Sequence, residues 1–127
     1  MKLTKSFSDN LNQVIKFCDA TSEGEWCTDV VRTKDTSKNC LFGHIFNMGD
    51  DQKESNQWWN WFEENVASTY MVYPVNDGTN PKYPQSTPKQ RCIAYMRDLL
   101  NGKEKTCHQH LEDYFNSSQA AGKRGAE

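Results

Sequence analysis

Long apolar runs are missing from this sequence. No stretch approaches the roughly 20 apolar residues that a membrane-spanning helix needs, so no membrane association is expected. The Cys-x-x-Cys and His-x-x-x-His knuckles of common zinc sites are absent too, which deprives metal chemistry of its usual signature. No recognisable protease or transferase signature surrounds any cysteine. Charge of one sign is not in excess: 15 Lys and Arg stand against 17 Asp and Glu, a net charge of −2. That balance gives no global reason to expect nucleic-acid binding. The opening Met-Lys-Leu-Thr-Lys-Ser lacks the apolar core of a signal peptide, so a cytoplasmic location is expected. In that reducing compartment Cys18, Cys27, Cys40, Cys92 and Cys107 are expected to be free thiols. Internal repeats are lacking.

What is present is a chain of 127 residues, the size of one domain, with 35% hydrophobic residues and four Trp. So thin an apolar supply makes the aromatics a large part of whatever core forms. Charge is distributed unevenly. Asp50, Asp51, Glu54, Glu63 and Glu64 cluster around Lys53, whereas Lys89, Arg91, Arg97, Lys103 and Lys105 outnumber Asp98 and Glu104. Such runs are solvated helix faces, or faces that meet each other.

Periodicity predicts helices along most of the chain. Phe7, Leu11, Val14, Ile15 and Cys18 share one helical face, with Ser6 as its cap. Trp26, Val30 and Val31 suggest one or two helical turns, with a strand as the alternative. Residues 33–39 read as a loop. Leu41, His44, Ile45 and Met48 form a second stripe, N-capped by Asn39 and stopped at Gly49. Gly43 within it costs about 1 kcal/mol relative to Ala and marks close approach of another backbone. Asp51 with Glu54 starts a helix whose face runs through Trp58, Trp61, Phe62, Val66, Thr69, Tyr70 and Tyr73, until Pro74 ends it. Trp59 points elsewhere. Residues 74–87 form the longest irregular segment. Thr87-Pro88 opens a helix with Cys92, Ile93, Met96, Leu99 and Leu100 inward. Thr106 and Gln109 cap a short last helix with Cys107, Leu111, Tyr114 and Phe115 on its face. The expected architecture is therefore all-α: a compact bundle of about five or six helices, with one long irregular loop. Residues 1–115 form the domain, and residues 116–127 a disordered tail.

Three kinds of chemistry are open to these residues. Cys40 and His44 lie one turn apart on a helix, and Cys27 supplies a third donor. Cys107, His108 and His110 offer further ligands, which suits zinc. The plainer alternative makes the cysteines small buried hydrophobes, with no cofactor. Cys40 or Cys27 against His44 also resembles a nucleophile with its base. Neither pairing leaves a thiol obviously open to substrate, so no catalytic residue is assigned. The third possibility is binding. Trp58 and Trp59 lie about 100° apart on a helix, so the block Trp58-Trp59-Asn60-Trp61-Phe62 cannot face one core. Trp58, Trp59, Trp61 and Glu63, with Asn76, Asp77, Asn80 and Tyr83 of the long loop, form the candidate binding set.

Trp26-Cys27, Cys40-Leu41-Phe42-Gly43-His44, and Asn76-Asp77-Gly78 through Thr87-Pro88 together resemble a family of small domains of unknown function. These occur in bacteria, especially actinobacteria, and in their phages. The resemblance covers roughly residues 7–103. The family often has Ala where this chain has His44. It implies a helical fold and a phage or mobile-element setting, and assigns no catalytic role. The combined expectation is a non-enzymatic domain that binds a host or viral protein. The alternatives are a zinc- or thiol-dependent enzyme using Cys27, Cys40 and His44, and a small-ligand binder.

Overall fold

The chain folds as α1 (Phe7–Asp19), α2 (Leu41–Phe46), α3 (Gln52–Asn65), α4 (Thr69–Asp77), α5 (Pro88–Leu100) and α6 (Cys107–Ala126) in a computed structural model. A 3₁₀ turn spans Glu23–Glu25. The structure describes residues 1–126, with side chains to Ser117. All named elements are helical, as expected. Of the tail expected over 116–127, Asn116 and Ser117 are exposed, and the side chains from 118 on lie outside the described residues.

α1 buries Leu11, Val14, Ile15 and Cys18, and Ser6 caps it by accepting from the Asp9 N–H. It packs on α5, which in turn packs on α4. Thr87 caps α5 through the Gln90 N–H at 3.2 Å, with Pro88 in its first turn. α2 lies between these helices and α3, and α6 meets α3. Where the layers meet, Phe42 and Phe62 make an edge-to-face pair at 5.6 Å. Both are fully buried, as is Trp58.

Four local expectations are corrected. The helix expected to run from Asp51 to Pro74 is two helices. α3 stops at Asn65, Val66 and Ala67 turn inward and are fully buried, and Ser68 starts α4. Burial of two apolar residues at the break outweighs continuation of the helix. Pro74 lies inside α4, whose end is set by Gly78 at φ 85. The Pro74 carbonyl there accepts from the N–H groups of Gly78, Thr79 and Asn80. The irregular loop is thus 78–87, and Asn76 and Asp77 belong to α4.

Residues 26–31 form neither a helix nor a strand. Asp29 sits at φ 69, Val30 is exposed, and the segment is held by isolated bridges of Asn39 to Trp26 and Arg32. Asn39 is also not the N-cap of α2. Its backbone N–H donates to Glu25 O, its carbonyl accepts from Cys27, and Cys40 takes the cap position.

The face of α6 is only partly covered. Thr106 and Gln109 form the expected reciprocal cap, but Leu111, Tyr114 and Phe115 are all more than half exposed. Nor do the acidic and basic runs meet. Lys89 instead donates to the carbonyls of Asp19, the last residue of α1, and Thr21 just past it. Arg91 is buried and donates to Val75, Asn76 and Gln85 carbonyls, each at 2.9 Å.

The close approach expected at Gly43 is present. A Cβ there would stand 2.6 Å from Val31 O, which already accepts from the Cys40 N–H. Gly43→Ala gains about 1 kcal/mol of helix propensity but overfills a contact that costs about 1–3 kcal/mol. Urea denaturation is therefore expected to show a net loss of stability. A stabilised variant would show that the 26–31 segment yields freely.

Candidate functional site

The irregular backbone of 26–40 lays Val31 and Arg32 across Gly43 of α2, and Trp59 rises beside them from α3. Val31, Arg32, Gly43, Phe46 and Trp59 line an open cleft of about 250 Å³. Its walls are apolar apart from the Arg32 head group. Trp59 is half-buried, with its ring 4.7 Å from that of Phe42 and 6.5 Å from that of Phe46. Its Nε1–H donates to the Glu63 carboxylate at 2.9 Å, which fixes the indole plane. Arg32 donates from Nε to Asn39 Oδ1 at 2.7 Å and from Nη2 to Asn47 Oδ1. The guanidinium carbon lies 5.8 Å from the centre of the Phe46 ring, a cation–π distance.

The expected binding residues are dispersed. Trp59 stands at the cleft, with Glu63 as the acceptor of its indole N–H. Trp58 is core, with Nε1 donating to Met1 O at 2.9 Å. Trp61 packs on Phe7 and Trp58 and borders a separate surface hollow with Leu3 and Glu64. None of Asn76, Asp77, Asn80 and Tyr83 lines the Trp59 cleft.

The α4 and loop residues bind other parts of the fold. Asn76 is fully buried. Its Oδ1 accepts from the Leu41 N–H at 3.0 Å, and its Nδ2 donates to Cys27 O and Asp77 Oδ1. Asp77 Oδ1 also accepts from the Asp29 N–H. Asn80 turns the loop through the Lys82 N–H. The buried Tyr83 hydroxyl lies 2.9 Å from carboxylate oxygens of both Asp98 and Glu104. Burial, reinforced by those carboxylates, pushes its acidity far below that of an ordinary phenol.

The thiol and imidazole candidates face backbone carbonyls. His44 is buried, stacks on Trp26 at 4.2 Å, and has Nε2 3.1 Å from Glu25 O. Cys27 Sγ points at Val30 O, and Cys107 Sγ at the Glu63 and Glu64 carbonyls. Burial pushes the thiols of Cys27, Cys40 and Cys107 above the usual range, which makes each a poorer nucleophile at neutral pH. Among the described residues no three His, Cys, Asp or Glu side chains gather as a metal-binding group. His108 and His110 are exposed on α6.

The sequence pointed to Trp59 but not to Val31, Arg32 and Phe46 as cleft residues. Gly43 was the available signal: a glycine inside an apolar stripe announces a crossing chain, although not which chain crosses. No family model, curated protein or solved structure matches this chain.

Burial lowers the His44 pKa from its ordinary 6.5. The unfolded chain therefore takes up a proton that the folded chain refuses. Stability contributed by neutral His44 is complete above about pH 6.5 and falls below it, by up to about 1.4 kcal/mol per pH unit. Urea melts at pH 7.5 and 5.5 should show this loss, and His44→Phe should reduce it. An equal slope in both proteins would rule His44 out as its source.

The Asn76 amide can be tested separately. Asn76→Asp keeps the shape but turns a donor toward Cys27 O and Asp77 into an acceptor. A loss of about 3 kcal/mol is expected, read as a lowered denaturation midpoint. Retained stability would show that the Leu41–Asn76–Cys27 tie is dispensable.

Proposed function

We propose that this chain is a non-enzymatic protein-interaction domain that receives an apolar side chain of a partner between Trp59, Phe46 and Val31. The observation that supports it best is the cleft itself. A rigid indole, a phenyl ring and a branched aliphatic side chain border open space over a glycine floor. Trp in such a position buries much area at little entropic cost, which is why it dominates binding hot spots. Glu63, from the acidic run of α3, accepts from the indole N–H and orients the ring. The placements of Cys27, Cys40 and His44 favour packing over chemistry: Cys27 and His44 face backbone carbonyls, and Cys40 is buried in the core. An accessory role in a phage or mobile element, with a host or viral protein as partner, rests on the resemblance of the Trp26-Cys27, Cys40–His44 and Asn76–Pro88 motifs. For the membrane, the described residues contain no helix long and apolar enough to cross one.

A photo-crosslinking amino acid at Asn56, exposed on α3 one turn before Trp59, tests the reading in cells that make the protein. A discrete protein adduct is expected. It should disappear with Trp59→Ala in a variant whose circular dichroism is unchanged, and should not form from a crosslinker at Asn12 on α1. An adduct insensitive to Trp59, or none at all, would remove the cleft as the interaction site.

A further inference from the structure

Arg32 carries a positive charge at the cleft that has no counter-ion among the described residues. Its two acceptors, Asn39 Oδ1 and Asn47 Oδ1, are neutral amides. Among the described residues it makes no ion pair, and its Nη1 donates to nothing. The guanidinium is nevertheless held in place, by two amide oxygens on one side and the Phe46 ring on the other. A planar fork with free N–H groups is the shape that takes a carboxylate through two parallel hydrogen bonds. Pre-positioning lowers the ordering cost of that contact.

The cleft sets what else the carboxylate must bring. At about 250 Å³ it lies below the roughly 300–1,000 Å³ of sites for drug-sized ligands, and suits a single side chain. Apolar walls disfavour an ionised Asp or Glu side chain within it, because burying that charge among rings is costly. A chain-terminal residue avoids the conflict. Its side chain and its α-carboxylate leave the same Cα, so one enters the apolar space while the other meets the guanidinium at its edge.

From this juxtaposition we infer that the cleft reads the C-terminal residue of a polypeptide. An apolar side chain sits between Trp59, Phe46 and Val31, and the terminal carboxylate pairs with Arg32. This rests on the interaction reading above and names the partner's chemistry.

The probes are acetyl-Gly-Gly-Leu as the free acid, the same peptide as its C-terminal amide, acetyl-Gly-Leu-Asp-Gly-amide, and N-acetyl-leucine. Binding is read by NMR from the Trp59 indole N–H and the Arg32 Nε–H of the full chain. The acid peptide should shift both signals and bind about tenfold or more tighter than its amide, as loss of a charge-assisted pair implies. Arg32→Gln should abolish the acid-over-amide preference, and Arg32→Lys should restore part of it. Trp59→Ala should remove binding of both peptides. If Arg32→Gln unfolds, the acid–amide comparison on the unaltered protein decides alone.

Equal affinity for acid and amide would overturn the carboxylate assignment while leaving the interaction reading in place. Preference for the internal Asp peptide would assign the cleft to acidic segments within a chain and overturn the inference. N-acetyl-leucine carries both contacting groups on one residue and should bind as the acid peptide does; its failure to bind would overturn the assignment of both contacts to the terminal residue. No shift from any probe, with the Asn56 adduct still formed, would overturn it without touching the interaction reading. Failure of the adduct as well removes both.

Discussion

The buried side-chain amide of Asn76 joins three parts of the chain that have no regular secondary structure in common. Its oxygen accepts the Leu41 N–H, one of the donors a helix start leaves without an internal partner, and its nitrogen reaches Cys27 O in the irregular 26–40 segment. The residue itself is on α4, which packs on α5. One neutral group thus sets where α2 begins, how the preceding loop lies over it, and how both sit against the α4–α5 layer. A buried polar group that satisfies backbone atoms is costly to replace, because its neighbours then lose their partners in a medium without water.

The cleft inherits its geometry from that tie. With Cys27 and Leu41 anchored, the residues between them must close a loop whose ends are held side by side. Asn39 does this with its backbone, bridging to Glu25 and Cys27, and turns its side chain to Arg32. The Val31 carbonyl then rests on Gly43, where only hydrogen fits. Arg32 is therefore positioned by the same loop that covers α2, and Trp59 by the packing of α3 against Phe42. The cleft is the space left where these two constructions meet.

This division explains what could be read from the residues alone. α1 and α5 were legible to their caps, because Ser6 and Thr87-Pro88 act locally and their apolar faces repeat cleanly. The break at Val66-Ala67-Ser68 was not, since an apolar pair continues a helical stripe equally well whether the backbone turns or not. Pro74 misled for the opposite reason: it normally stops a helix, but here Gly78, four residues on, supplies the turn. Trp59 was separable from Trp58 by angle, and the structure places one half-exposed and the other in the core. What Trp59 faces was not readable. Arg32 lies in a stretch without periodicity, and its acceptors come from residues seven and fifteen positions away.

Gly43 also bears on how such a domain can change over generations. The floor of the cleft is main chain, pinned by a contact that admits no side chain, so substitution cannot deepen or fill it there without disturbing the loop above. Phe46 and Val31 are only half-buried, and their side chains stand at the rim. Variation in what the cleft accepts is therefore channelled to the side chains around it, and a lineage could retune its preference by altering them while the main-chain floor stays constant.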